Sequence, residues 1–331
     1  MKIYKKLLSS MLAAFIFNSN TTHAMHSISK ENFSEVGINN YEYYGKKLEK
    51  LATDYLAKDG ITIGEKIGCG YNGMVYCGTD KTGKKVAIKL SFPNTSTLAL
   101  TNQIPVGYHT PYMSYDYKYL GELELARRYV NYDTYYKAKY DKKENVKKYE
   151  PVYLGKGLPK IHAVYRWLDL DYYDSEYWSI AVVMDWIEGE TLENYIKHHS
   201  YSADNVLSWS IGILNALKPL HEKGWKHRDL CNPSNIMIKP DDSICVIDLG
   251  KAIDWYDYNL NTMSPNYPIG YIYNHDIDPD YCEISNLIKY FLNKANSNDL
   301  NLKDRIKDAV NKSKNCEMLY RNLTNLLQSI K

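Results

Sequence analysis

The chain has 331 residues, 44% hydrophobic and 24% charged, with a formal net charge of +2 and 33 tyrosines. That length can bury one sizeable core or two smaller ones, and the composition excludes collagen, a coiled coil and wholesale disorder. The near-neutral charge gives no electrostatic footing for a nucleic-acid partner.

In the first 24 residues, Lys2, Lys5 and Lys6 precede an apolar run from Leu7 to Phe17, and Thr22-His23-Ala24 offers a small-residue cleavage site. This is the three-part layout of a secretory signal peptide. The run is about half of the roughly 20 apolar residues that cross a bilayer. Cleavage near Ala24 is therefore expected, with export and no stable membrane insertion afterwards, leaving a mature chain of net charge −1. Export permits disulfides among Cys69, Cys77, Cys231, Cys245, Cys282 and Cys316. Their spacing matches no zinc pattern, and free thiols are expected.

Residues 25 to 40 are polar. Tyr44, Leu48, Leu51 and Tyr55 then recur at helical spacing, which predicts a helix packed on the main domain. From Gly60 the period changes: "ITIGEKIG" and "GMVYCG" are short β-type runs joined by a Gly-rich turn, and "KKVAIKLSF" is a third strand. Residues 93 to 157 hold a predicted helix near Tyr119 to Tyr129 inside a tyrosine- and lysine-rich stretch, which reads as a solvated insertion. Two more strands follow, "LPKIHAVYRWL" and "WSIAVVMDWI". Beyond them Ser202 can cap a helix in which Leu207, Ile211, Leu214 and Leu217 share a face. Strands first and helices later predict two lobes that meet at Asp185 to Ile187.

Several motifs fall in order on this framework. Gly68, Gly70, Gly73 and Val75 spell G-x-G-x-x-G-x-V in the first turn, where glycine lets the backbone approach phosphates. A strand, not a helix, follows, which excludes a dinucleotide-binding βαβ unit. Val86-Ala87-Ile88-Lys89 places a lysine on the third strand, where a fixed cation can hold nucleotide phosphates. Such a lysine needs an anionic partner. Glu122 has Ala126 beside it at i+4 while Glu124 has Arg128, so Glu122 is the inward candidate. In "KHRDLCNPSN", Asp229 can receive a hydroxyl proton, and Asn235 with Asp248 at the end of "ICVID" can hold Mg²⁺.

This ordered series resembles a eukaryotic-type protein kinase from Gly68 to about Leu292, with D-L-G in place of D-F-G. The resemblance implies an α+β, two-lobed fold: a small antiparallel sheet with one helix, then a shortened, mainly helical C-lobe. The implied divisions are a signal peptide over 1–24, a helical extension over 25–58, an N-lobe over 59–186 with an insertion around 129–157, and a C-lobe over 187–331. ATP and Mg²⁺ are the implied cofactors. Met184 would lie at the back of the adenine pocket, Asp185 and Ile187 in the hinge, and Val75, Ala87 and Met237 around the ring. Asp229, Lys89, Glu122 and Arg228 would form the catalytic set, with Asp280 as the buried anchor beneath the loop.

The departures are specific. Asp229 and Asn235 are six residues apart where the family has five, Cys231 stands where a lysine is usual, and no A-P-E follows Asp248. The implied reaction is transfer of the γ-phosphoryl of ATP to a protein hydroxyl, with serine or threonine expected. A small-molecule kinase of the aminoglycoside or choline type and a nucleotide-binding pseudokinase are the alternatives. Export motivates a protein substrate in a host cytosol. Arg228 would hold an activation segment phosphorylated at Thr262, Ser264 or Tyr267.

Overall fold

A computed structural model of the chain describes residues 46, 48–70, 73–91, 122, 140–141, 146–149, 151–169, 177–254, 278–296 and 300–330. The expected signal peptide, most of the helix near Tyr119 to Tyr129, and Thr262, Ser264 and Tyr267 lie outside the described residues.

The helix α1 (residues 48–56) opens the described chain. Its buried face is Leu48, Ala52 and Leu56, whereas Leu51 is 43% exposed. The predicted helix is present, but its buried stripe lies one position away from the expected Leu48–Leu51–Tyr55 line. Ala52 is wholly buried because its small side chain lets the helix lie close to the sheet beneath. Tyr76 of the sheet donates from its hydroxyl to Glu49 at 2.9 Å, which fastens the helix further.

Seven strands form one antiparallel sheet: β1 (Thr62–Gly70), β2 (Gly73–Thr79), β3 (Lys85–Ser91), β4 (Tyr140–Asp141), β5 (Val146–Tyr149), β6 (Ile161–Asp169) and β7 (Tyr177–Asp185). Their order is β1-β2-β3-β7-β6-β5-β4. Successive side chains along a strand point to opposite faces. Val86, Ile88 and Leu90 of β3 and Ala181 and Val183 of β7 join α1 in one core, while Ile180 and Val182 join the larger core of the second lobe. A register shift in β6 between Ile161 and Ala163 puts Ile161 and Val164 on the second face together. One sheet therefore separates two cores.

The second lobe contains β8 (Glu190–Thr191), α2 (Leu192–His198), α3 (Ala203–His221), β9 (Trp225–Lys226), β10 (Ile236–Ile238), β11 (Ile244–Val246), β12 (Ile253–Asp254), α4 (Pro279–Lys294), α5 (Leu300–Asn311) and α6 (Cys316–Ile330). Ser202 caps α3 in a reciprocal capping box with Asn205. Leu207, Leu214 and Leu217 of α3 are fully or nearly fully buried, and Ile211 packs at their edge. The α+β, two-lobed architecture expected from the motifs is the one observed.

The stretch read as a solvated insertion differs from that expectation. β4 and β5 extend the sheet, and Lys148 of β5 pairs with Asp59 at 2.7 Å. Farther on, Val152, Leu154 and Leu158 are buried, and the Gly157 carbonyl accepts the Val246 amide of β11 at 2.9 Å. A Cβ on Gly157 would lie 2.7 Å from Ala216 of α3. Residues 151–158 thus pack on the second lobe. Three apolar residues scattered among tyrosine, lysine and glycine leave little periodic signal, so their burial follows from tertiary contact.

Candidate active site

Strand alternation places Ala87 and Lys89 of β3 on the side away from α1, towards the cleft. Lys89 lies opposite Val75 on β2 and Val182 on β7, and Ala87 lies opposite Met184. The Lys89 ammonium donates to Glu122 at 2.7 Å and to Asp248 at 2.5 Å. Burial alone would lower the Lys89 pKa, but the charges of Glu122 and then Asp248 outweigh it and hold the pKa well above the ordinary lysine value. Burial likewise pushes Asp248 up, and Lys89 more than reverses this, leaving the carboxyl below its usual range. The cluster is therefore ionised on both sides.

Asp248 follows β11 in a left-handed conformation, φ 61° and ψ 74°. That backbone state costs a non-glycine residue about 1–3 kcal/mol, and here it turns the carboxylate back into the cleft. The side chain also accepts the Gly250 amide at 3.2 Å. A Cβ at Gly250 would lie 2.8 Å from Lys89 Nζ and 3.0 Å from Asp248 Oδ1. Glycine keeps the wall beside the ion cluster clear.

The catalytic-type loop is anchored from below. Asp280, fully buried on α4, accepts the His227 amide at 2.9 Å, the Arg228 amide at 2.8 Å and His221 Nε2 at 2.7 Å. Burial works against its charge, but these donors prevail and hold its pKa at about 2. Arg228 is also left-handed, at φ 65°. The anchored amides hold that turn and set the direction in which Asp229 leaves it. His227 donates from its ring to the Ile247 carbonyl at 3.0 Å, tying the loop to the segment that carries Asp248.

The extra residue is absorbed by a single 3₁₀ turn, Pro233–Asn235. The Asn235 amide donates to the Asn232 carbonyl at 3.0 Å, and the Asn232 side chain accepts from Ser234. This tightened turn brings Asn235 back: its side-chain amide reaches the Asp229 carbonyl at 2.9 Å and the Asp229 carboxylate at 3.1 Å. Asn235 thus reaches Asp229 despite the six-residue spacing.

The glycine-rich segment is a hairpin in which Gly68 faces Val75 and Gly70 faces Gly73. Gly73 is required by packing, since a Cβ there would lie 2.0 Å from the Leu90 carbonyl. At Gly68 a Cβ would meet, among the described residues, only Val75, at 3.8 Å. Val75, Ala87, Met184 and Met237 are each half-buried, which leaves an apolar surface for a flat ring. At the lobe junction the Asp185 carboxylate is held by His162 at 2.9 Å, Lys84 at 3.2 Å and the Lys160 amide at 3.2 Å, and Ile187 follows the strand end.

Residues 159–268 match the family model described as protein kinase domain. This chain carries a eukaryotic-type protein kinase domain. It is 38% identical over 72 residues to a "Probable serine/threonine-protein kinase" of Clostridium acetobutylicum, covering 22% of this chain and 11% of that protein. It is 34% identical over 85 residues to the human eIF-2-alpha kinase GCN2, covering 25% and 5%. A third relative, the mouse serine/threonine-protein kinase Nek10, is 38% identical over 79 residues, covering 22% and 7%. The matched segments thus span about a tenth or less of these relatives' own lengths.

In this cleft the structure brings together Lys89, Glu122, Asp248 and Gly250, and beside them Asp229 and Asn235. Two participants were not singled out from the sequence. Lys251 pairs with Asp229 at 2.7 Å, and Glu283 accepts the Leu230 amide at 2.6 Å. Burial, with Asp280 and Asp229 nearby, pushes Glu283 up to about 7 despite that amide. Lys251 directly follows D-L-G, a position that the motif series leaves unassigned. All six cysteines are free, as expected.

Asp248 Oδ2 and Asn235 Oδ1 take no hydrogen bond among the described residues, and both are hard oxygen donors of the kind Mg²⁺ prefers. No group of three or more His, Cys, Asp and Glu side chains among the described residues is placed to hold a metal by itself. The donor set fits an ion whose remaining ligands are phosphates and water.

Proposed function

We propose that the protein transfers the γ-phosphoryl group of ATP, with Mg²⁺, to a serine or threonine hydroxyl of a protein. The observation that carries this reading is the single ionised cluster Glu122–Lys89–Asp248, set beside the Asp229–Asn235 pair on the far side of the same cleft. Bound Mg²⁺ would neutralise phosphate charge, and Asn235 and Asp248 would hold it.

The chain's own residues take the remaining roles. Lys89, fixed by Glu122, orients the nucleotide phosphates. Asp229 accepts the hydroxyl proton through its carboxylate, with Asn235 keeping that carboxylate from rotating. Arg228 holds the loop in its strained turn and would meet a phosphorylated Thr262, Ser264 or Tyr267. Gly68, Gly70 and Gly73 cover the phosphates. The ring lies between Val75, Ala87 and Met237 with Met184 behind it, and the backbone of Asp185 to Ile187 pairs with its edge. The kinase-family matches support the serine or threonine preference, since the relatives' names carry it.

The test is incubation of the full chain with Mg²⁺ and γ-labelled ATP, offered a serine, threonine and tyrosine peptide library, choline and aminoglycosides. Labelled serine or threonine peptides are expected, with loss in Asp229→Asn and in Asp248→Asn. Label on choline or an aminoglycoside alone would favour the small-molecule reading, and nucleotide binding without transfer would favour the pseudokinase.

The reading also includes export into a host cytosol, supported by Lys2, Lys5, Lys6 and the apolar run from Leu7 to Phe17. Fractionation of infected cells checks it, and a mature protein confined to the producing cell would sink it.

A further inference from the structure

We propose that Lys251 is a catalytic residue that supplies the cation meeting the transferred phosphoryl group, a role that rests on the phosphotransfer reading above. The loop around Asp229 carries two cations, Lys226 and Arg228, and Arg228 is committed to the activation segment in the reading above. Lys226 is engaged with Asp278 at 3.0 Å, and both amides on either side of the His227–Arg228 peptide are held by Asp280. Two residues after Asp229 stands Cys231, an exposed thiol that carries no positive charge in either protonation state. Across the cleft, the Lys89 ammonium is already shared between two carboxylates.

Lys251 fills this gap from a different element. It closes the 3₁₀ turn Leu249–Lys251 that Asp248 caps, so its backbone is fixed relative to that carboxylate. Its ammonium reaches Asp229 Oδ1 at 2.7 Å, while Asn235 holds Oδ2 at 3.1 Å from the other side. Among the described residues it is the one cation that touches Asp229. Its side chain remains half exposed, so the ammonium keeps donor capacity towards the cleft. Glu122 and Asp248 share Lys89, and Lys251 is the ammonium that pairs with Asp229. Without Lys251 the Asp229 carboxylate beside the attacking oxygen would have no ammonium partner among the described residues.

In the reaction, the acceptor oxygen forms a bond to phosphorus as the bond from phosphorus to the bridging oxygen of ADP breaks. The acceptor's proton goes to Asp229. As that carboxylate is neutralised its hold on Lys251 weakens, and the ammonium is free to follow the charge spread over the phosphoryl oxygens. The same ion pair keeps Asp229 oriented before substrate arrives. A purely structural Lys251 would do only that, and the two roles separate in experiment.

The full chain is compared with Lys251→Met, Lys251→Arg and Lys251→Met/Cys231→Lys, measuring kcat with ATP and calorimetric Kd for Mg²⁺–ADP and for the β,γ-imido analogue of ATP. Lys251→Met is expected to lower kcat by roughly 30- to 1,000-fold, as loss of one aimed charge does. Its ADP affinity should stay within about twofold, while the preference for the triphosphate analogue over ADP disappears. Moving the charge to the loop in Lys251→Met/Cys231→Lys should recover at least about tenfold in kcat. Retention of kcat and of the triphosphate preference in Lys251→Met overturns the proposal, as does a double variant no better than the single one. A wild-type chain that binds nucleotide without transferring phosphate would sink the proposed function, while the analogue-to-ADP ratio would still decide the contact made by Lys251.

Discussion

The side-chain amide of Asn235 reaches both the carbonyl and the carboxylate of Asp229, at 2.9 and 3.1 Å, across a loop one residue longer than its family's. The pair keeps its geometry because Asn232 and Pro233 take up the extra length in one 3₁₀ turn. Asn235→Ala is expected to lower phosphotransfer at least 100-fold, because it removes a proposed metal ligand and frees the Asp229 carboxylate at once. Replacing Cys231-Asn232 by a single lysine should leave the 229–235 pair intact and transfer within about tenfold of wild type. Rates with γ-labelled ATP check both, and a collapse in the shortened loop would show that the added residue is essential.

Lys89 and Glu122 are both almost fully buried, with side chains 9% and 3% exposed. Lys89→Met leaves Glu122 inside without its cation. A cost of about 3 kcal/mol is expected in denaturant unfolding, together with loss of transfer. Lys89→Met/Glu122→Leu removes both charges, so most of that stability should return while activity does not. If the double variant is as unstable as the single one, the cost does not come from the stranded carboxylate.

Glu283 gives a stability signature at neutral pH. Its folded pKa, about 7, lies above the ordinary value of 4.5. Its contribution is therefore full below about pH 4.5 and lost as pH rises through 7, because the unfolded chain ionises first. Glu283→Gln can still accept the Leu230 amide and carries no charge. The variant should melt higher than wild type at pH 8, by up to about 3 kcal/mol, and match it near pH 4.5. Equal melting curves at pH 8 would dismiss the effect.

Asp280 has the opposite sign. Its folded pKa, about 2, is below the ordinary 3.8, so its contribution is present above about pH 4 and disappears as pH falls towards 2. Asp280→Asn keeps one acceptor oxygen for two amides and an imidazole. It should lose about 2–3 kcal/mol at pH 7 and show a shallower acid limb between pH 4 and 2. Unchanged acid unfolding would place the pH dependence elsewhere.

Much of the cleft was legible because Gly68, Lys89 and Asp248 each sit on or beside a strand whose period shows in the sequence, while Asp229 and Asn235 share one loop. Glu122 was legible too, since at helical spacing it has alanine four residues on where Glu124 has arginine, and the structure puts it on Lys89. Lys251 was not, because an exposed lysine after a turn has no local mark; only the left-handed Asp248 swings it to Asp229. Leu51 was misplaced because Leu and Ala both fit a helical stripe, and the sheet's close approach selects the smaller Ala52.

By itself, the sequence determined the early strands, the long helix α3 and the two-lobed α+β plan, since these follow from hydrophobic period and turn residues. Tertiary structure alone decided which groups touch. The packing of residues 151–158 on α3, the 3₁₀ turn that compensates for the lengthened loop, and the Lys251–Asp229 ion pair join segments that are far apart in the chain or depend on backbone angles. Such contacts arise from how two cores close around one sheet, which no local pattern encodes.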